Sequence, residues 1–195
     1  TYTATLTNSA TAPVTVNLSG GGSIVIASGA TSGTYVASAQ GEDPYVDAAS
    51  ASKSIVTVTG GATAFEALSV NTAAVTTSIT DTTQTTSLSL SAATSVDEAT
   101  AITYTATLTN AATVPVTVNL SGGGSIVIAS GSTSGTYVAS AQGEDPYVDA
   151  ASVSKSIVTV TGGVTAFEAL SVNTAVVTTS ITDTTQTTSL SLAAA

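Results

Sequence analysis

The stretch Ile102-Thr103-Tyr104-Thr105-Ala106-Thr107-Leu108 decides the fold. Ile, Tyr, Ala and Leu alternate with Thr along it. A period of two sends one set of side chains to a buried face and the other to a wet face, as in a half-buried β-strand. Asn110 closes it, and the same pattern continues on both sides. Upstream, Thr86-Ser87-Leu88-Ser89-Leu90 alternates, and Thr94 to Ala101 reads as a turn. Downstream come Val116–Leu120, then the hairpin turn Gly122-Gly123-Gly124, then Ile126–Ile128 closed by Gly131. Thr136–Ser140 is a fifth strand, Ser154–Val160 a sixth, and Ala169–Thr182 holds a seventh. No segment has the apolar spacing and caps of a helix.

Seven short strands at this spacing predict an all-β fold, an immunoglobulin-like β-sandwich. The pattern occurs twice. Tyr2-Thr3-Ala4-Thr5-Leu6-Thr7-Asn8 returns as Tyr104–Asn110, an offset of 102 residues that also carries Phe65 to Phe167 and Asp81 to Asp183. About seven aligned positions differ, nearly all by small swaps such as Ala51 to Val153. A period this long is a whole domain rather than a solenoid unit, so the chain is a tandem array. The expected divisions are residues 1–84, a repeat lacking its first strand; 85–186, a complete repeat; and 187–195, the first strand of a following one.

Composition narrows the function. Twelve acids stand against two lysines, Lys53 and Lys155, for a net charge of −10. Nucleic acids and anionic membrane surfaces are therefore not expected as partners. No apolar run approaches the roughly 20 residues that span a bilayer. Without cysteine there is neither a disulfide nor thiol chemistry. Without cysteine or histidine the usual nucleophile–base pairs cannot be assembled, so no enzyme activity is expected. Paired carboxylates could in principle cleave glycosides, but no aromatic sugar platform accompanies them.

The acids are where the chain concentrates its chemistry. Gly41-Glu42-Asp43-Pro44-Tyr45-Val46-Asp47 puts three carboxylates within six residues and recurs unchanged as Gly143–Asp149. The proline makes each copy a loop. Crowded carboxylates repel by about 1 kcal/mol at 4 Å in water and about 4 kcal/mol at an effective dielectric of 20. In an antiparallel Greek key successive strands reverse direction. Asp97 and Glu98, then Glu144, Asp145 and Asp149, then Asp183 should therefore gather at one pole. Glu168, with its counterpart Glu66, belongs to the opposite pole. Glu42, Asp43, Asp47 and Asp81 of the first copy are expected to face Glu168. All twelve acids fall outside the predicted strands. Sheet surfaces elsewhere use Thr and Ser rather than charge, so these acids are not general solubilisers. Calcium, a hard cation taking oxygen ligands, is the expected neutralising group, although the spacing is not that of an EF-hand.

Other candidates are structural. Tyr45, Tyr147, Phe65 and Phe167 read as core, the lysines as exposed openings of the sixth strand, and Gly20-Gly21-Gly22 lacks the lysine and helix of a phosphate loop.

Four motifs in fixed order carry a resemblance. They are Phe-Glu-Ala-Leu, the Asp-Pro-Tyr-Val-Asp loop, Thr-Asp-Thr-Thr-Gln-Thr-Thr at 80–86 and Ser-Val-Asp-Glu at 95–98. Together they resemble the extender repeats of giant RTX adhesins, of the large-adhesion-protein and ice-binding-adhesin types. The resemblance implies immunoglobulin-like domains strung end to end, calcium at and near the linkers, type I secretion, and an extracellular place on the bacterial surface, in biofilm. It implies a stalk whose partners are neighbouring repeats of the same chain. The family often has Asp-Asp where this chain has Glu42-Asp43, and a second acid where it has Gln84. The alternative is a binding module whose sandwich recognises a glycan or protein. Near-identical repeats with few aromatics fit a stalk better, since binding hot spots favour Trp, Tyr and Arg.

The ends carry one more expectation. Ser189-Leu190-Ser191-Leu192 repeats Ser87–Leu90 and has no domain of its own to join. Head-to-tail self-association, with this strand donated to the first copy of another molecule, is the simplest outcome.

Overall fold

The computed structural model describes residues 1–194; Ala195, the last residue of the tail, lies outside the described residues. The chain is all-β and divides into two compact units. One comprises Thr1–Glu42 and Asp47–Thr82, the other Asp43–Val46 and Thr83 onward. In the first unit the strands are β1 (Tyr2–Thr5), β2 (Val14–Leu18), β3 (Ser23–Ile26), β4 (Ser32–Tyr35), β5 (Ser50–Lys53), β6 (Ile55–Gly60) and β7 (Val75–Ser78). In the second they are β8 (Thr85–Ser91), β9 (Ser95–Asp97), β10 (Ile102–Leu108), β11 (Val116–Leu120), β12 (Ser125–Ile128), β13 (Ser134–Ala139), β14 (Ser152–Lys155), β15 (Ile157–Gly162), β16 (Ala169–Val172) and β17 (Val177–Thr182).

In the second unit the order β13-β10-β8-β16 faces β12-β11-β15, and a third ladder, β14-β17-β9, completes the sandwich. Alternation does what the sequence requires. Ile102, Tyr104, Ala106 and Leu108 of β10 meet Val116, Val118 and Leu120 of β11 and Ile126 and Ile128 of β12 in one buried core. Burying side chains of this size contributes about 1.5–3 kcal/mol each.

Three features differ from the expected seven-strand pattern. The predicted sixth strand is two, β14 and β15, in different ladders. The break is Ser156, whose N–H donates to Ser121 Oγ (2.9 Å) and whose carbonyl accepts from Ser121 N–H (2.9 Å), so the kink leaves no backbone group orphaned. The predicted seventh strand is likewise split into β16 and β17. Asn173 makes the break, its side-chain oxygen accepting Ala175 N–H at 2.9 Å. The expected turn at Thr94–Ala101 contains β9, so Asp97 ends a strand rather than lying in a loop. The alternating directions hold: β10 runs antiparallel to β8, and β16, from the seventh strand, runs parallel to β8, the first.

The first unit repeats the β3-β2-β6 ladder around Val14, Val16, Leu18, Ile24 and Ile26. Its β1 pairs with β4 alone, and β5 with β7 alone.

Candidate metal centre

Glu98 follows directly on β9. Alternation along Ser95-Val96-Asp97-Glu98 turns Val96 and Glu98 inward, and Glu98 is 1% exposed. Its backbone is held on two sides. Glu98 N–H donates to Thr182 O (3.1 Å), while Glu98 O accepts Gln142 N–H (3.1 Å) and Gly143 N–H (3.3 Å). Gly143 sits at φ 102°, a conformation that suits glycine and lets this loop close over Glu98. The side chain accepts Thr184 N–H on Oε1 (3.2 Å), while Oε2 is buried with no hydrogen-bond donor.

The carboxyls of Glu144 and Asp183 are near enough to Glu98 to disfavour its ionisation. Burial first, then these two neighbours, push the Glu98 carboxyl up to about 7, against the opposing pull of Thr184 N–H. Three chain segments, the residue after β9, the loop after β13 and the residue after β17, thus bring their acids together. Among the described residues no group of three acids is arranged to hold a metal ion. A cation would have to draw Glu144 and Asp183, both exposed, onto the fixed Glu98 carboxylate. An all-oxygen donor set suits the hard cations calcium and magnesium better than zinc, whose sites usually include nitrogen or sulfur.

The remaining acids are placed differently. Asp145 Oδ1 caps Tyr147 N–H (2.8 Å), and Asp43 Oδ1 caps Tyr45 N–H (2.9 Å), both as Asx turns. Asp97 is exposed on β9 and Asp149 is half-buried. Glu168 accepts Gln84 N–H on Oε2, and its own N–H donates to Pro44 O (3.1 Å). In the first unit Glu42, Asp47 and Asp81 line one cavity of about 330 Å³. In the second unit β9 pairs against β17 at the corresponding place and packs Val96 there. Glu66 is exposed.

Within the second unit the four residues Asp43–Val46 pack on Phe167. Tyr45 stands 5.8 Å from its ring and donates to Ala111 O at 2.7 Å, which makes it a satisfied core tyrosine. Tyr147 is 74% exposed, contrary to its expected core role.

The lysines also correct the sequence reading. Lys155 is buried, its Nζ donating to Ser121 O (3.0 Å) and Gly123 O (2.7 Å) and lying 5.5 Å from the Tyr137 ring centre. Lys53 donates likewise to Ser19, Gly20 and Gly21 carbonyls. Each lysine clamps a triple-glycine hairpin. Those carbonyls carry no side-chain signal, so the role was not readable in the sequence.

Residues 1–82 and 84–184 each match the LapA domain family, and the chain belongs to it. LapA is a large adhesion protein, so this is an adhesin-related region of a cell-surface protein, and the family points to a structural rather than an enzymatic role. Comparison with curated proteins and with solved structures gave no match. Among the described residues no helix is long and apolar enough to cross a membrane.

Proposed function

We propose that the chain is a stalk segment of a secreted RTX-type adhesin, an extender whose domain junctions are stiffened by calcium. Tandem sandwiches of near-identical sequence supply length, and the acids at their poles supply the switch. The observation that carries the reading is Glu98, a buried carboxylate with one oxygen undonated and two further carboxylates beside it. Such a group is costly as it stands and becomes favourable once a cation shares its charge. Glu98 would be the fixed ligand, Glu144 and Asp183 the recruited ones, with water filling the six to eight oxygen positions calcium takes. In the first unit Glu42, Asp47 and Asp81 form the corresponding acidic lining. Without the ion, repulsion loosens these segments; with it, they become fixed.

A calcium titration of the whole chain, read by calorimetry and by solution scattering, tests this. The expected result is saturable binding with a longer maximum dimension, both weakened in Glu98→Gln. Absence of binding heat, or binding unaffected by Glu98→Gln, would refute the site. Binding without a change in dimension would refute the stiffening. A glycan array with the same protein separates this reading from a ligand-binding module.

A further inference from the structure

The ladder β14-β17-β9 carries the acids of the second unit and stands apart from its two main sheets. Glu98 follows β9, Asp183 follows β17, and Glu144 lies in the loop leading to β14. The breaks at Ser156 and Asn173 cut this ladder off from β15 and β16. The first unit has the same breaks. There β5 and β7 form a ladder of their own, Ser54 N–H donates to Ser19 Oγ (2.9 Å), and Asn71 Oδ1 accepts Ala73 N–H (2.9 Å).

The ladder turns polar groups inward. Val153 and Lys155 of β14 lie opposite Thr179 and Val177 of β17. Lys155 and Thr179 are buried, and Thr179 Oγ1 donates to Ala93 O (2.7 Å). Lys155 stands at the end of the ladder away from the acids and reaches out of it, onto the hairpin after β11. Besides its bonds to Ser121 O and Gly123 O, its Nζ lies 6.0 Å from the Tyr104 ring centre and 5.5 Å from that of Tyr137. The neighbouring Ser156 takes the N–H and the Oγ of Ser121, so all three polar groups of Ser121 are bound by Lys155 or Ser156. The hairpin itself is fixed in shape. Gly122, Gly123 and Gly124 lie at φ 64°, 86° and 95°, and a Cβ on Gly124 would stand 2.6 Å from the Tyr137 ring.

We propose that Lys155 is a positioning residue for the acid pole: it pins β14 to the hairpin and so fixes the ladder whose other end presents Glu98 and Asp183. The reason is the cost of moving it. A buried ammonium that leaves its carbonyls loses hydrogen bonds where water does not replace them. Sliding β14 by one residue would turn both Val153 and Lys155 to solvent. The three strands are paired rung by rung, so a constraint at Lys155–Val177 is carried along β17 to Thr182–Asp97, about 17 Å away. Glu98 N–H extends it by donating to Thr182 O. Calcium as the ligand of these acids rests on the reading above; the pinning does not.

Hydrogen exchange of the whole chain in chelator tests the pin. Lys155→Met should speed exchange in β14, β17 and β9 about tenfold more than in β11. Val153, Val176 and Ser95-Val96-Asp97 mark the ladder peptides of the second unit, and Val114 marks β11. Leu88→Ala, in another sheet, is the control for lost stability alone and should speed β11 at least as much as the ladder. Lys53→Met should speed β5 and β7 over β2, marked by Ala51, Ala74 and Ala12, and decides the matter if Lys155→Met does not fold. A calcium titration then reads the consequence: Lys155→Met should bind about tenfold more weakly, and Leu88→Ala like the parent. Equal acceleration of ladder and β11 in Lys155→Met would overturn the pin. Equal calcium affinity in Lys155→Met and the parent would overturn the positioning of the acids. If the parent binds no calcium while ladder exchange still rises selectively, the calcium reading fails and the pin stands.

Discussion

Leu88 and Leu190 occupy the same place in the same six-residue sequence, yet one is fully buried and the other fully exposed. Truncating each to alanine therefore isolates tertiary packing from local propensity. Leu88 faces the core formed by Leu108, Val116 and Ile128. Its truncation removes three heavy atoms from close packing and leaves a cavity, at a cost of about 2.7–5 kcal/mol. Taking about 3 kcal/mol, amides that exchange by global opening of the second unit should exchange roughly a hundredfold faster. Leu190→Ala should change the same amides by less than about 0.5 kcal/mol in dilute solution. Hydrogen exchange read by mass spectrometry distinguishes the two units, because Ala111 and Val114 mark second-unit peptides where the first has Ser9 and Ala12. Equal effects from the two substitutions, or none from Leu88→Ala, would refute the assignment of β8 to the second unit's core.

Two further outcomes follow. In chelator, Glu98 holds its proton more tightly folded, at about 7, than at its ordinary 4.5, so its contribution is fully present below about pH 4.5 and is lost as pH rises to 7. The melting temperature of the parent should fall relative to Glu98→Gln across that window, and a parallel pair of curves would refute the shift. Lys155→Met removes two hydrogen bonds from a buried ammonium to hairpin carbonyls and should cost about 1–3 kcal/mol by urea unfolding. Lys53→Met, in the more open first unit, should cost less; equal losses would count against burial as the deciding term.

Much of this architecture was legible because period-two alternation is a direct image of a two-faced sheet. Ile102–Leu108 and Val116–Leu120 were readable at once for that reason. The breaks at Ser156 and Asn173 were not. A strand that crosses from one ladder to another keeps its β-branched composition on both sides of the kink, and the switch depends on Ser121, distant in sequence. β9 was hidden because its partner, β17, is remote and parallel, with no hairpin turn to announce it. The loop pole was partly readable from strand direction, whereas the placing of Glu98 inside it required β9. Leu6 and Leu108 sit in identical heptapeptides, Tyr2–Asn8 and Tyr104–Asn110, and only Leu108 has β8 beside it.

The parallel pairing of first strands with last strands has a mechanical consequence. In the second unit the chain enters through β8 and β9 and leaves through β17, with β9 parallel to β17 and β8 parallel to β16. Tension applied at these two ends pulls paired strands past one another along their length. The rungs of each ladder then carry the load together and must rupture as a group, instead of opening one at a time like a zip. Resistance to such pulling is governed by the unfolding rate rather than by equilibrium stability. The shear geometry, rather than the resting stability of the Leu- and Ile-rich core, therefore sets how long the second unit lasts under load.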